Sequence, residues 1–247
     1  MKKLWILPVL ILGLISMACT ISGVTVDFGR IEGSGNVVRE NRSVGEFSGV
    51  VLSGMGNLYI EQGDSNGIVI EAEDNIVPKI TTTLRGNQLV IAVERGMNII
   101  PTKEINYYIT MKDVNDIQVL GAGNVDANDI QTDSLNIDLT GLGAVKMKNL
   151  DTGMLDITIS GAGDINVDGK ATQQSINISG AGNYHAEDLE SENADIIVSG
   201  LGGGTLWAKQ QLSVIISGGG NIDYYGDPQI SRTISGLGKL TSLGEHN

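Results

Sequence analysis

The chain contains few side chains that could do chemistry together. His185 and His246 are its only histidines, and Cys19 is its only cysteine. Two histidines so far apart in sequence, with no further cysteine in the chain, argue against a histidine-based zinc site and against a Ser-His-Asp triad. The sequence therefore predicts no metal site, no cofactor and no catalytic residue.

The glycine-rich segments do not predict a nucleotide or calcium site either. A phosphate-binding loop needs a Lys-Ser/Thr pair and a following helix, and neither pattern follows these glycines. The segment Gly218–Asp223 is similar to the calcium-binding nonapeptide of RTX proteins. That motif requires tandem nine-residue copies, whereas the repeat in this chain is about twice as long.

Six polar side chains share one face of the predicted repeat, after its glycine corner. They are Asp126, Lys146, Lys148, Asp168, His185 and Glu187. Such a cluster could serve a polysaccharide lyase or glycosidase. Lysines beside aspartates on neighbouring strands are also ordinary charge pairs, and we favour this second interpretation.

Trp207 and Tyr225 are the aromatic residues most suited to binding a ligand. Trp207 has the same position in the repeat as Lys148 and Asp168, so its side chain should point outward, with Tyr225 one coil further on. Together with His185 and Glu187 they form the candidate ligand-binding set, because exposed aromatic rings can stack on sugars or peptides. The alternative is a partly covered surface aromatic pair without a ligand.

A repeat of about 20 residues must position these side chains. Gly-x-Gly, preceded by Ser or Thr in every copy after the first, recurs with first glycines 20, 20, 19, 20, 18 and 18 residues apart, and apolar residues alternate with polar ones on both sides of the corner. Period-2 alternation indicates strands, and a fixed period indicates a solenoid whose stacked coils share one core. The predicted fold is all-β: a parallel, right-handed β-helix. The first glycines are Gly121, Gly141, Gly161, Gly180, Gly200, Gly218 and Gly236.

Equal positions in the repeat become columns when the coils stack. One apolar column should contain Ile137, Ile157, Ile176, Ile196 and Val214, and the next Leu139, Ile159, Ile178, Val198 and Ile216. Hydroxyl and asparagine columns flank the corner, and we interpret them as a structural turn ladder because such side chains bond nearby backbone in turns. The members of that ladder are Ser160, Ser179, Ser199, Ser217, Asn183 and Asn221.

Three segments follow from these patterns. Residues 1–18 form a leader, polar residues 19–36 form a tether, and residues 37–247 form a single β-helix domain. Within this domain, residues 36–115 alternate less regularly, and we expect them to be broader coils of the same stack, interrupted near Asp74–Asn75 and Arg85–Asn87.

The leader predicts that the protein is located in the cell envelope. Lys2 and Lys3 precede an apolar run from Leu4 to Met17 that is too short to span a bilayer comfortably. Cys19 follows it directly after Ala18, which looks like a bacterial lipoprotein signal. The expectation is cleavage before Cys19 and acylation of its sulfur, so that the partner is a membrane. The alternative is ordinary cleavage beside an incidental cysteine.

The acidic balance excludes one class of partner. The formal net charge is −13, so the surface repels nucleic-acid phosphates and keeps an exported protein soluble. Binding of divalent cations by this surface is the alternative to simple solvation.

The Ser-Gly-x-Gly-Asn coils, the segment Val51–Ile60 and the lipoprotein-like leader resemble one family, the autotransporter-type adhesin family called the head GIN domain. The resemblance spans about residues 37–243 and implies a parallel β-helix without enzymatic activity and with an adhesive role. We expect an envelope lipoprotein on the outer membrane or cell surface that binds a surface glycan or a protein. The alternatives are a polysaccharide-binding or polysaccharide-cleaving β-helix, and an envelope scaffold without an external ligand.

Overall fold

A computed structural model describes residues 29–246. The leader and Cys19 lie outside the described residues. The described part is nearly all β, with a solenoid of about 6 turns whose coils are about 20 residues apart. The only helix among the described residues is a single 3-10 turn at Val77–Lys79. The predicted all-β solenoid is therefore confirmed.

The strands before the regular repeat are short. They are β1 (Gly29–Glu32), β2 (Val37–Arg42), β3 (Gly49–Leu52), β4 (Asn57–Gln62), β5 (Gly67–Glu73), β6 (Ile80–Arg85), β7 (Gln88–Val93), β8 (Met97–Ile100) and β9 (Asn106–Met111). Those of the regular repeat are β10 (Asp116–Val119), β11 (Val125–Asn128), β12 (Gln131–Leu139), β13 (Leu142–Ile159), β14 (Ala162–Ile178), β15 (Tyr184–Val198), β16 (Gly204–Ile216), β17 (Ile222–Tyr225), β18 (Gln229–Ile234) and β19 (Leu240–Gly244). The long strands run from one glycine corner to the next.

The two predicted apolar columns form the core of the regular coils. Parallel pairing aligns Ile137 with Ile157, Ile176, Ile196 and Val214, and it aligns the second column in the same way. Every member of both columns is at most 2% exposed. These β-branched and leucine side chains alternate with outward polar residues, so each coil contributes a few apolar groups that only its neighbours can cover.

The glycine corners are required by the close approach of successive coils. A Cβ atom added at Gly161 would lie 2.5 Å from the carbonyl oxygen of Thr140 and nearer still to that of Gly141. The same crowding recurs at both glycines of each regular corner, whereas the middle position faces outward and accepts Leu142 or Leu201. Most corner glycines do not have positive φ, so close backbone approach explains the motif.

The expectation of simple broad coils between residues 36 and 115 is wrong in part. Coils do occur there: β3 pairs in parallel with β7 and β10, and β4 with β9 and β11. However, β6 and β7 form an antiparallel hairpin, and β5 is antiparallel to both β2 and β9. The two residues Gly86-Asn87, with Gly86 at φ +60°, can join only antiparallel strands.

The order of coils also departs from the order of the chain. The β3–β4 coil lies between the β7–β9 coil and the β10–β11 coil, because β3 and β4 each pair on both edges. The chain therefore passes outward to the β7–β9 coil and then returns across the β3–β4 coil to begin the regular repeat. Equal spacing of the repeat predicts that the coils stack in the order of the chain. The repeat pattern therefore did not indicate this excursion.

Residues 29–36 were expected to belong to the tether, but they join the folded domain. Strand β1 pairs in parallel with β8. The backbone N–H of Gly35 donates to Glu73 at 2.7 Å, and the Ser34 hydroxyl donates to Asp74 at 2.5 Å. These contacts fix the chain across the end of the solenoid that the antiparallel strands cover.

Candidate binding face

One outward row of side chains follows the glycine corners along the length of the solenoid. Strand pairing places its members in register, each on a different coil. We call this row the outer row; it consists of Tyr108, Tyr59, Asp126, Lys146, Asn166, His185, Thr205, Asp223 and Thr241. Because the strands alternate, the neighbouring side chains on each strand point into the core.

The predicted polar cluster lies in one open depression on this face. The depression has a volume of about 410 Å³, and all six residues predicted to share a face line it. One carboxylate oxygen of Glu187, Oε2, is buried there without a hydrogen-bond partner among the described residues. Lys146 and Lys148 are exposed, and Asp126 and Asp168 also line the depression, so ammonium donors and carboxylate acceptors are available to a ligand that lies across several coils.

Trp207 and Tyr225 pair in register on adjacent strands, but a side chain of the same protein already packs against both rings. The ring of His246 stacks on Trp207 with centroids 4.1 Å apart and an interplanar angle of 7°. It also meets Tyr225 edge-on at 5.2 Å. The Trp207 side chain is thus partly covered from within the chain. Nothing in the repeat pattern indicated this role for His246.

A bulge separates Trp207 from the residues predicted to lie beside it. Ala186 pairs with Leu206, but the next pair is Glu190 with Trp207, so Glu187, Asp188 and Leu189 have no opposite residue on β16. Glu187 faces the polar depression, while Trp207 belongs to the C-terminal aromatic cluster. Asp188 connects the two, because it lines the depression and its Oδ1 lies 3.3 Å from Nε2 of His246.

A buried polar network holds the backbone of Trp207. The Ser191 hydroxyl donates to the Trp207 carbonyl at 2.6 Å, and the Gln174 amide donates to Ser191 at 2.7 Å. The Tyr184 hydroxyl donates to the Gln174 carbonyl oxygen at 2.9 Å. Burial raises the pKa of Tyr184 well above its ordinary value. Each buried polar group is satisfied, so the network fixes the path of the chain around the bulge.

The two polar columns of the predicted turn ladder differ. Asn183 and Asn221 accept hydrogen bonds from the backbone N–H groups of Gly203 and Lys239 on the next coil, at 3.3 and 3.0 Å. The serine column is exposed and bonds no backbone among the described residues; its contact is from Ser179 Oγ to Ser160 Oγ at 3.4 Å. Ser199 and Ser217 lie in the same exposed column.

A second aromatic site, which the repeat pattern did not single out, lies at the other end of the outer row. Tyr59 and Tyr108 stack with centroids 5.2 Å apart and an interplanar angle of 17°. The guanidinium of Arg39 lies 5.1 Å from the centre of the Tyr108 ring. The pair comes from β4 and β9, whose adjacency depends on the coil excursion, so sequence spacing could not reveal it.

Glu71 organises the polar side of this aromatic pair. It accepts hydrogen bonds from Asn106 at 3.1 Å, Arg39 at 2.5 Å and the Tyr108 hydroxyl at 3.3 Å. The Asn106 and Arg39 hydrogen bonds hold the pKa of Glu71 below its ordinary value. Burial, and then the charge of Glu71, raise the pKa of Tyr108. Tyr108 is thereby kept as a neutral, oriented ring.

Tyr59 also lines an open depression of about 370 Å³. Tyr59 is 36% exposed, whereas Trp207 is partly buried. The depression is bordered by Asn57, Asn124, Glu104, Asp126 and Lys146. It adjoins the larger polar depression, because both include Asp126 and Lys146.

Other kinds of site are not found within residues 29–246. No group of three or more His, Cys, Asp or Glu side chains in that range is placed to hold a metal ion. In the same part of the chain, no helix has the length and apolar character needed to cross a membrane.

The fold and its outer row define a class of protein: a parallel β-solenoid with a long open face rather than a closed pocket. The chain belongs to the family described as "Putative auto-transporter adhesin, head GIN domain", whose sequence model matches residues 46–228. The resemblance drawn from the coils and from Val51–Ile60 is therefore confirmed.

Solved structures support the same fold. A putative adhesin from Bacteroides fragilis NCTC 9343 superposes with a TM-score of 0.82 at 26% identity, covering 86% of this chain and 100% of that one. A putative lipid binding protein from Parabacteroides distasonis ATCC 8503 gives 0.67 at 20% identity, with 87% and 99% covered. A putative adhesin from Parabacteroides merdae ATCC 43184 gives 0.63 at 18%, with the same coverage. No match was found among curated proteins.

Proposed function

We propose that this protein is a non-enzymatic adhesin of the bacterial envelope, which holds a surface glycan or a partner protein on its outer row. Membership of an adhesin-named family and an adhesin-named structure at 26% identity support the role. The observation that carries the proposal is the open polar depression around Glu187, because such a face can bind an extended ligand but does not exclude water as an active site does.

Attachment to the membrane through Cys19 is the second part of the proposal. The lone cysteine behind a basic and apolar leader supports it. A single acyl chain binds membranes only weakly, so stable anchoring needs more than one. The full chain, expressed in a lipoprotein-competent bacterium, should partition into detergent, and Cys19→Ser should abolish this partitioning. Equal partitioning of the two forms would show that Cys19 is not the anchor.

The binding face is tested by attachment of cells that display the protein. Glu187→Gln removes the charge whose Oε2 has no partner and should reduce attachment. Asp195→Asn is the matched control. Asp195 is an exposed acidic residue that does not line the depression. Unchanged attachment for Glu187→Gln, or equal loss for both variants, would place the binding surface elsewhere.

The aromatic cluster of Trp207, Tyr225 and His246 can be tested in the same attachment assay. Trp207→Ala should weaken attachment if the indole contacts the ligand, while His246→Ala should strengthen it by uncovering the indole ring. If neither variant changes attachment, the aromatic cluster has only a structural role.

Polysaccharide cleavage is the second candidate, and the clustering of Lys146 and Lys148 with Asp126 and Asp168 favours it. Incubation of the full chain with neutral and acidic polysaccharides should release no reducing ends if the protein only binds them. Release that disappears in Lys148→Gln would identify an enzyme.

A further inference from the structure

We propose that Tyr59 is the platform of a sugar-binding subsite that takes a neutral pyranose ring. This inference deepens the proposed adhesive function and rests on it for its biological meaning. It places the recognition of sugar at the N-terminal end of the outer row, away from Trp207, His185 and Glu187.

The first argument is that the platform is rigid before any ligand arrives. One face of the Tyr59 ring is covered by Tyr108, which is held in turn by Glu71 and by the guanidinium of Arg39. Glu71 is fixed by Asn106. A ligand that stacks on Tyr59 therefore loses little free energy to ordering of the protein side chains.

The second argument is that the other face of Tyr59 is directed into a depression of suitable size and chemistry. On β4, Tyr59 lies between Tyr108 of β9 and Asp126 of β11. Since Tyr108 covers one side, the remaining side looks toward Asp126 and the depression of about 370 Å³. That volume lies at the lower end of the range typical of small-ligand sites.

The third argument is that uncommitted polar groups surround this face. The Tyr59 hydroxyl, the Glu104 carboxylate and the Lys146 ammonium make no side-chain hydrogen bond to any residue from 29 to 246. Asp126 accepts one hydrogen bond, from Asn128 at 2.6 Å, and retains acceptor capacity. An apolar ring face bordered by free acceptors and donors matches a pyranose, which has C–H groups on its faces and hydroxyls around its rim.

Charge selects a neutral sugar. Two carboxylates and one ammonium border the depression, and the chain as a whole has a formal charge of −13. An acidic sugar would meet repulsion both locally and at long range. The larger depression of about 820 Å³ near Thr132 and Thr152 is also polar, but no aromatic side chain lines it, so it offers no stacking platform.

Asp126 and Lys146 border both depressions, and this fixes the direction in which a longer ligand can extend from the subsite. A sugar on Tyr59 can extend along the outer row only toward Lys146 and His185, since Tyr108 and Arg39 close the other side. An oligosaccharide would therefore enter the polar depression of the proposed adhesive face, with its first ring on Tyr59.

Saturation-transfer NMR on the purified full chain tests the subsite, with the methyl glycosides of glucose, galactose, mannose and N-acetylglucosamine as probes and N-acetylneuraminic acid as the acidic comparison. At least one neutral glycoside should bind, with C–H protons of one ring face receiving most of the saturation. Tyr59→Ala should weaken that binding about tenfold or more, and Tyr59→Phe should retain the stacking. Lys146→Gln should not convert the preference to the acidic sugar.

Ile197→Ala is the matched control, because it removes an exposed apolar side chain that lies outside the depression. It should leave binding of the monosaccharide unchanged, and circular dichroism should show that each variant is folded. Absence of binding by all four neutral glycosides, or equal affinity of wild type and Tyr59→Ala, would overturn the subsite. If cells displaying the variant Tyr59→Ala still attach through Glu187, the adhesive function stands without it.

Discussion

The corner glycines make the sharpest prediction about the fold. In Gly161→Ala, the new methyl group would lie 2.5 Å from the carbonyl oxygen of Thr140 and closer to that of Gly141. A carbon atom cannot remain this close to backbone oxygen, and neither oxygen belongs to a flexible side chain that could move aside. The two coils must separate at this corner.

The cost follows from the hydrogen bonds that the separation breaks. The N–H groups of Ser160 and Gly161 donate to the carbonyl oxygen of Leu139, both at 3.1 Å, and that of Ala162 donates to Gly141 at 3.3 Å. Each net loss costs about 1 kcal/mol, and overpacking adds about 1–3 kcal/mol. We expect Gly161→Ala to lower the free energy of unfolding by about 4–6 kcal/mol.

Gly219→Ala is the matched control, because the same substitution is made at the middle position of a corner. Its nearest neighbour would be the Cδ2 atom at the end of Leu201, at 3.2 Å. Other corners carry Ala, Leu or Met there, so stability should change by less than about 1 kcal/mol. Urea unfolding followed by far-UV circular dichroism compares the two. A loss below about 1 kcal/mol in Gly161→Ala, or similar losses in both, would refute close approach as the reason for the motif.

Two further predictions concern the core and the covered end of the solenoid. Ile178→Asp places an unpaired charge at a position that is 0% exposed, so it should cost more than about 4 kcal/mol; urea unfolding that moved by less than about 1 kcal/mol would contradict the assigned column. Burial alone would raise the pKa of Glu73, but hydrogen bonds from Thr102, Gly35 and Lys103 outweigh it and the pKa is lowered from 4.5. The ionised carboxylate therefore stabilises the fold above pH 4.5, and this contribution is lost as the pH falls through the lower native value. Glu73→Gln should be less stable than the wild type at neutral pH and should lose less stability on acidification, measured by urea unfolding at several pH values. If the free energy of unfolding of the two proteins changes in parallel with pH, ionisation of Glu73 does not contribute to stability.

The regular coils could be predicted from the sequence because their determinants are local and repeated. Ile157, Ile176 and Ile196 recur at nearly constant spacing, and parallel stacking turns that spacing directly into register. The N-terminal half could not be predicted as well. There, the Gly86-Asn87 turn reverses the chain, and alternation alone does not distinguish antiparallel from parallel strands.

The candidate site was predictable to the extent that it follows the repeat. The shared face of Lys146, His185 and Glu187 follows from equal positions after the corner. The separation of Trp207 from Glu187 could not be predicted in this way, because the coils differ in length and the bulge at residues 187–189 absorbs the difference. The Tyr59–Tyr108 stack depends on a pairing 49 residues apart in sequence, which no periodicity encodes.

The two ends of the solenoid are protected from pairing with further strands in different ways. At the N-terminal end, antiparallel strands β2 and β6 cover the core, and Arg42 donates to the backbone carbonyls of Ile80 and Val77 at 2.6 and 2.9 Å. At the C-terminal end, every residue of β18 is exposed, including Ile230 and Ile234, which pair in register with the buried Leu212 and Ile216. Arg232 stands between these isoleucines at the position of Val214. An inward-pointing charge at an open edge opposes pairing with a further apolar strand. The last coil thus ends the stack through one substitution in the core column, and the outer row continues up to that end.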